Sequence, residues 1–473
     1  MPPGAPRPGL ARSRHNYHLA VIERIVWVDI TSSMTNPTKR VSGIQRVELE
    51  VALELADQLP VEFVHYDFRA RRFVAVSRNE VAERQRLLVI ESSAVPMPVE
   101  APARARRARA GAWVTSRVPR RLRPDLAMKA AWQVERATTS AARLVRRELK
   151  RLISVARPHS LLDRRTPGGR PGDVLLSLTL HFRPEVIDEV RTWVRGRGME
   201  LVTLVYDVIP SIHPQFVTLD PSQFDANFVG MVEQSARLLT ISECSAIDIR
   251  DLCARQGIDC PPIDVLRLAS ALTRSTPCRP EGVSLPDDFV LCVGTVEPRK
   301  NHALLLDVWE SFTHDHVADA PVLVIAGSTG WLVEETMDRI RNAPELRDTV
   351  VFVDSPSDPE LHWLFRNCTF TLYPSLYEGW GLPVTESFDS GKVCLTTDRG
   401  SLPEAGEGLA IHLDATDRAA WRKAILDLWR DADRRQRLEQ HIVGTREPRE
   451  ISAVATDLAE ILGGNRTDAD LSR

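Results

Sequence analysis

The chain has 473 residues, 43% of them hydrophobic, and a formal net charge of −3. Its length exceeds one ordinary core and calls for two or three domains, and no apolar run approaches the ~20 residues that span a bilayer. The near-balanced charge argues against a general nucleic-acid binder. Seven cysteines without a CxxC pair argue for reduced thiols in a cytoplasmic protein, not for a disulfide frame or a zinc site.

Residues 1–20 are rich in Pro, Arg and Ala and hold no apolar stretch, which predicts a disordered leader and not a secretory signal. Strand-like runs follow at residues 25–30, 61–67, 173–180, 201–209, 237–242 and 264–268. A helical pattern over 43–59 has apolar positions at Ile44, Val47, Val51 and Leu55. Ser242 is placed to cap a helix reaching about Gln256, with Gly257 as its stop. Residues 102–151 interrupt the series with fifteen Lys or Arg against three Asp or Glu, so the remainder of the chain is acidic. This segment reads as an insertion. Trp113, Trp132 and a basic amphipathic pattern after Leu126 make it a candidate for docking on an anionic membrane face, with a solvated charged insertion as the alternative.

The stretch 278–288, CRPEGVSLPDD, reads as a linker, and a second series of strand-like runs stands at 289–296, 322–327, 350–354, 369–374, 393–397 and 409–413. Strands alternating with helical patterns predict an α/β protein with two doubly wound parallel sheets. The expected division is an N-terminal domain over 21–280 (with the 102–151 insertion), a C-terminal domain over 288–443, and a 444–473 tail or helix that could return to the first domain. In such sheets ligands gather at the carboxyl ends of strands, and the motifs fall there.

Residues 373–391, YPSLYEGWGLPVTESFDSG, run from a strand end through a loop with Glu378, Gly379 and Gly381 into a helix with Leu382, Pro383 and Glu386. Glycines admit a ligand close to the backbone, Pro suits a first helical turn, and the exposed amides there favour an anion such as a diphosphate. Two carboxylates near a phosphate site make sense only where they bind hydroxyls, which sugar and ribose rings supply. Residues 293–302, VGTVEPRKNH, place Gly294 and Thr295 at a strand end and then present Arg299 and Lys300, cations suited to a departing diphosphate.

Together these runs resemble the E-x7-E signature and the Lys-bearing phosphate loop of family 4 of the retaining, GT-B-fold glycosyltransferases. The resemblance extends over residues 288–417 and includes VLVIAGSTGW at 322–331, with Gly327 and Gly330 near the donor, and TDRGSLPE at 397–404. It implies two Rossmann-like domains facing across a cleft. Donor phosphates would be held by Arg299, Lys300, Gly43 and amides near Gly381, sugar hydroxyls by Glu378, and the ribose by Glu386. The resemblance further places Gly294, Thr295, Gly327, Gly379 and Leu382 around the donor and requires neither metal nor cofactor. Many members carry Arg where this chain has Thr295, so Arg299 is a candidate for that role.

In the first half, SGIQRV at 42–47 and LVYDVIPSIHP at 204–214 resemble segments of the mannosyl- and rhamnosyltransferases that build bacterial surface polysaccharide. Asp207 falls where many members place a catalytic His, and His213 lies further along. Either is a candidate for binding the sugar or an acceptor hydroxyl, or for packing. The implied function is transfer from a nucleotide-diphosphate sugar, with GDP-mannose or a related deoxysugar as the expected donor. The acceptor would be a glycan or lipid-linked molecule on the cytoplasmic side of the membrane, and no nucleic-acid partner is expected. A glycosidase is a formal rival that the phosphate-binding cations disfavour. The other alternative is a catalytically inactive scaffold or partner subunit.

Overall fold

A computed structural model describes residues 24–35, 43–93, 166–181, 183–270 and 275–463. The expected leader (1–20) and basic insertion (102–151) lie outside the described residues. The first sheet is formed by β1 (Val26–Asp29), β2 (Val61–Asp67), β3 (Arg72–Val76), β4 (Val174–Ser177), β5 (Glu200–Leu204), β6 (Arg237–Thr240) and β7 (Ile263–Val265), in the order β3-β2-β1-β4-β5-β6-β7. The second is formed by β8 (Val290–Val293), β9 (Leu323–Gly327), β10 (Val350–Asp354), β11 (Phe370–Tyr373), β12 (Cys394–Thr397) and β13 (Ile411–Leu413), in the order β10-β9-β8-β11-β12-β13. Every pairing is parallel except β2–β3. Strands such as VLLS in β4 and CLTT in β12 are buried throughout, as expected of parallel sheets covered on both faces.

The sequence reading missed β3. It is a hairpin partner whose turn is organised by Asp67, which accepts from Arg69 N at 2.8 Å and Ala70 N at 3.1 Å; the charged residues around it mask a five-residue strand. The strand expected over 201–209 stops at Leu204, because Asp207 accepts from Ile209 N at 3.0 Å and bends the chain into a single helical turn, Ile209–Ile212. The helix expected over 43–59 ends at Leu55, shortly before Pro60, which disfavours helical backbone in the residue preceding it. The Glu243–Gln256 helix has the expected Ser242 cap and a Gly257 stop at φ 67°.

The stretch 278–288, expected as a linker, is docked on the second sheet. Cys278 N donates to Pro359 O at 2.9 Å, the Arg279 guanidinium lies over the Trp363 ring, and Leu285 is buried. At the far end, Arg446 anchors the chain to Asp389 and Glu407. The Ile451–Gly463 helix then crosses back to pack on Gly43–Leu55 of the first sheet's layer, and its Ile451, Val454 and Leu458 are buried in the same core as Leu49 and Leu55. Among the described residues no helix is long and apolar enough to cross a membrane.

In each sheet the strand order reverses once, between β1 and β4 in the first and between β8 and β11 in the second. A crevice opens at the carboxyl ends of strands at such a switch point.

Candidate active site between the two sheets

The loops leaving β8 and β11 meet at the second switch point. After β8 the chain passes Gly294 and Thr295 into a short turn, Pro298–Lys300, and then into the His302–His314 helix. A Cβ on Gly327, at the end of β9, would lie 1.9 Å from Gly294 O. Glycine is therefore the residue that lets β8 and β9 close together there. Thr295 Oγ1 lies 3.3 Å from Ser328 Oγ.

Four charges are gathered around this turn, Glu297 and Glu378 buried and Arg299 and Lys300 half-buried. Glu378, in the loop after β11, accepts on Oε1 from Lys300 Nζ at 2.6 Å and from the Tyr373 hydroxyl at 2.9 Å. Its Oε2 is 2.5 Å from Arg299 NH1. Arg299 also donates to Glu297 Oε1 and to Tyr377 O, both at 2.8 Å. Burial alone would raise the Glu378 pKa, but Lys300 and then Arg299 override it and hold the carboxyl at about 2. Burial lowers Lys300 against the attraction of Glu378, while Glu378 and Glu297 carry Arg299 upward against its burial. Two cations and two carboxylates leave this cluster without net charge. A diphosphate arriving at Lys300 and Arg299 would therefore compete with Glu378 and release it to other partners.

Gly379 and Gly381 follow Glu378. Gly381 has φ 112°, a conformation favouring glycine, and caps the Leu382–Asp389 helix, so that Leu382 opens the helix beside the loop. Glu386 stands half-buried in the middle of that helix.

The first sheet supplies the opposite wall. A Cβ on Gly379 would lie 3.1 Å from Asp207 Oδ2, which places Asp207 directly against the Glu378 loop. Burial raises the Asp207 pKa; Arg299 and Lys300 oppose the shift and Glu378 adds to it. His213 is not in this cluster. Its ring packs 4.5 Å from that of Tyr377 and 5.5 Å from that of Phe216, and burial lowers its pKa. Gly43 opens the Gly43–Leu55 helix.

Sequence reasoning overlooked a second polar cluster, at the first switch point. Asp29, at the end of β1, accepts from Thr31 N at 2.9 Å and from the Thr31 hydroxyl at 2.5 Å, and lies 2.6 Å from His181 Nε2. Ser177, at the end of β4, stands 3.4 Å from the same nitrogen. Behind them Glu48 is fully buried. Its Oε2 accepts from Ser33 N at 2.7 Å and Ser32 Oγ at 2.9 Å, while Oε1 has no hydrogen-bond partner among the described residues. Burial, opposed by Ser33 and reinforced by Asp29, pushes the Glu48 carboxyl up to about 7. Glu48 also helps raise Tyr206, the residue before Asp207, after burial. A signal for Glu48 was present: it stands four residues after Ile44 and three before Val51, a carboxylate on the apolar stripe of its helix.

Residues 279–442 match the family described as Glycosyl transferases group 1. The chain is 27% identical over 237 residues to a serotype-specific mannosyltransferase, WbdA, of Escherichia coli, covering 46% of this chain and 28% of that protein. It is 21% identical over 266 residues to the O-antigen chain mannosyltransferase RfbU of Salmonella typhimurium, covering 54% of this chain and 71% of that one. The chain thus spans little more than a quarter of the first relative's length. Among solved structures it is similar to Anabaena Alr3699/HepE in complex with UDP and glucose, with TM-score 0.54 at 12% identity over 93% of this chain and 99% of that one. The sucrose-phosphate synthase of Thermosynechococcus elongatus matches with the same TM-score and identity over 93% and 98%. Residues 279–442 thus match a group 1 glycosyltransferase domain, and the chain that carries them has the GT-B fold.

Proposed function

We propose that this chain is a retaining glycosyltransferase that moves mannose, or a related deoxysugar, from a GDP donor to a glycan or lipid-linked acceptor in surface-polysaccharide synthesis. The observation that carries the reading is the cluster at the second switch point. Lys300 and Arg299 are half-buried and already paired with Glu378, so an arriving diphosphate takes over the cations as it frees the carboxylate for sugar hydroxyls. Because both cations serve the leaving group, the reaction needs no metal. The mannosyltransferase names of the relatives support the choice of sugar.

The acceptor enters from the first sheet, with Asp207 nearest the reacting carbon and the Asp29–His181 pair deeper in the crevice. That pair and Glu48 bring no excess positive charge, which suits neutral hydroxyls. The basic segment 102–151 would hold the enzyme on the anionic inner face of the cytoplasmic membrane, where a lipid-linked acceptor resides.

The test is incubation of the purified protein with UDP-, GDP-, TDP- and ADP-sugars, with and without EDTA. Released nucleoside diphosphate is measured, and the product's anomeric configuration is read by NMR. Metal-independent turnover of a GDP-sugar with retention supports the proposal. Nucleotide binding without turnover of any donor would favour the inactive partner-subunit reading instead, and full loss in EDTA restored by Mg²⁺ or Mn²⁺ would contradict the metal-free mechanism.

A further inference from the structure

The residues on either side of Glu378 are bonded to the opposite sheet's layer at the start of the Glu243–Gln256 helix. The Tyr377 hydroxyl donates to Asp248 Oδ2 at 2.6 Å and lies 3.4 Å from Cys244 Sγ. The Ser242 hydroxyl donates to Gly379 O at 2.8 Å, and Ser245 Oγ lies 3.3 Å from the same carbonyl. A third connection comes from the Leu402–Gly406 helix. Its Glu404 accepts from Glu243 N and Cys244 N, one on each carboxylate oxygen, both at 2.8 Å. Those are two of the first-turn amides that no helix can satisfy internally, and a carboxylate is well placed at that positive end of the helix dipole.

Glu378 itself is held from behind by the segment leading to Glu404. Its carbonyl accepts from Ser401 N at 3.1 Å and Ser401 Oγ at 2.9 Å. The peptide carrying Glu378 is thus gripped between residue 401 of its own domain and a helix of the other. Burial, with the bond to Asp248 beside it, raises the Tyr377 pKa, so the phenol keeps its proton and donates in that bond.

We propose that the first turn of the Glu243–Gln256 helix is a positioning element for Glu378, acting through Tyr377, Ser242 and Glu404. The sugar-binding carboxylate reaches its working place only when the second domain is closed on that helix. Opening the cleft to exchange substrates breaks the Tyr377–Asp248, Ser242–Gly379 and Glu404–amide bonds together, and re-forming them restores the site. This rests on the proposed role of Glu378 in sugar transfer, but assigns the control of its position to residues that need not touch substrate. Misplacing a reacting group by an ångström costs up to about a hundredfold in rate, whereas phosphate binding at Lys300 is local to the second domain.

The test compares Tyr377→Phe, Glu404→Ala and Glu404→Gln in the full chain with Glu378→Gln as reference. Turnover, acceptor KM and GDP affinity are measured, with hydrogen exchange at the Glu243 and Cys244 amides. The inference expects kcat to fall about tenfold in Tyr377→Phe and in Glu404→Ala, with GDP affinity unchanged and part of the rate restored in Glu404→Gln. The two amides should exchange faster in Glu404→Ala. Unchanged kcat in both variants, with Glu378→Gln inactive, would overturn the positioning role alone. So would a parallel fall of kcat and GDP affinity that Glu404→Gln does not rescue, since that is the pattern of general structural damage. If Glu378→Gln is itself fully active, the functional reading falls and this inference with it.

Discussion

At the second switch point the charges are compensated, with Lys300 and Arg299 set against Glu378 and Glu297. At the first, two buried carboxyls, Asp29 and Glu48, face one histidine and a set of hydroxyls. Both crevices arise from the same reversal of strand order, so the backbone does not distinguish them. The side chains do. The second site holds two paired cations that a diphosphate could take over from Glu378, whereas the described residues gathered at the first are mainly carboxyls and hydroxyls with one histidine. On the function proposed here, a doubly wound fold used twice in one chain would acquire a donor side and an acceptor side through which charges sit at each reversal point.

The comparison breaks most visibly at Glu378. Glu378→Gln removes the carboxylate but keeps its shape, and turnover should drop by about a hundredfold or more if its hydroxyl contacts strengthen in the transition state. GDP affinity should hold or tighten in the same variant, since Lys300 Nζ loses its competing partner. Weakened GDP binding would show that Glu378 helps hold the nucleotide. On the other side, His181→Ala should raise acceptor KM about tenfold, the loss of one good hydrogen bond in a buried site. Steady-state kinetics at saturating donor would reveal this, and a change in donor KM alone would move the acceptor elsewhere.

Glu48 sharpens the contrast through pH. Its folded pKa of about 7 lies above the ordinary 4.5, so the native state favours the neutral acid. The resulting stabilisation is fully present below pH 4.5 and is lost as pH rises through about 7. Glu48→Gln should therefore leave stability nearly unchanged at acid pH and increase it above neutrality, by up to about 3 kcal/mol. Melting curves at several pH values check this, and equal pH profiles for the two proteins would place Glu48 in a better-solvated setting. The smallest effect is expected from Thr295→Ala, about threefold or less in GDP affinity, because its hydroxyl makes one long contact with Ser328.

The second site was legible because loop chemistry repeats in sequence order. Gly294, Lys300, Glu378 and Gly381 lie in two short runs whose spacing is set by a strand end, a turn and a helix start. Pairing of Lys300 and Arg299 with Glu378 was not legible, since it depends on which strands are neighbours, not on spacing. The first site was nearly silent for a related reason. Asp29, Glu48 and His181 are separated by 19 and 133 residues, and the sheet order β1-β4 alone brings the ends of that span together. His213 drew attention through its motif, yet it packs on Tyr377, because the turn imposed by Asp207 carries it past the cation cluster. The β3 hairpin was hidden by charged flanks, and the packing of residues 278–288 on the second sheet by a composition that also suits a linker.

The central claim, that donor and acceptor are divided between the two switch points, is tested most directly by calorimetric titration of GDP into the wild type, Lys300→Ala and His181→Ala. The account predicts that Lys300→Ala weakens binding about tenfold or more, as expected for loss of a charge-assisted phosphate contact, while His181→Ala binds as the wild type does. Equal weakening in both variants, or a loss confined to His181→Ala, would contradict it.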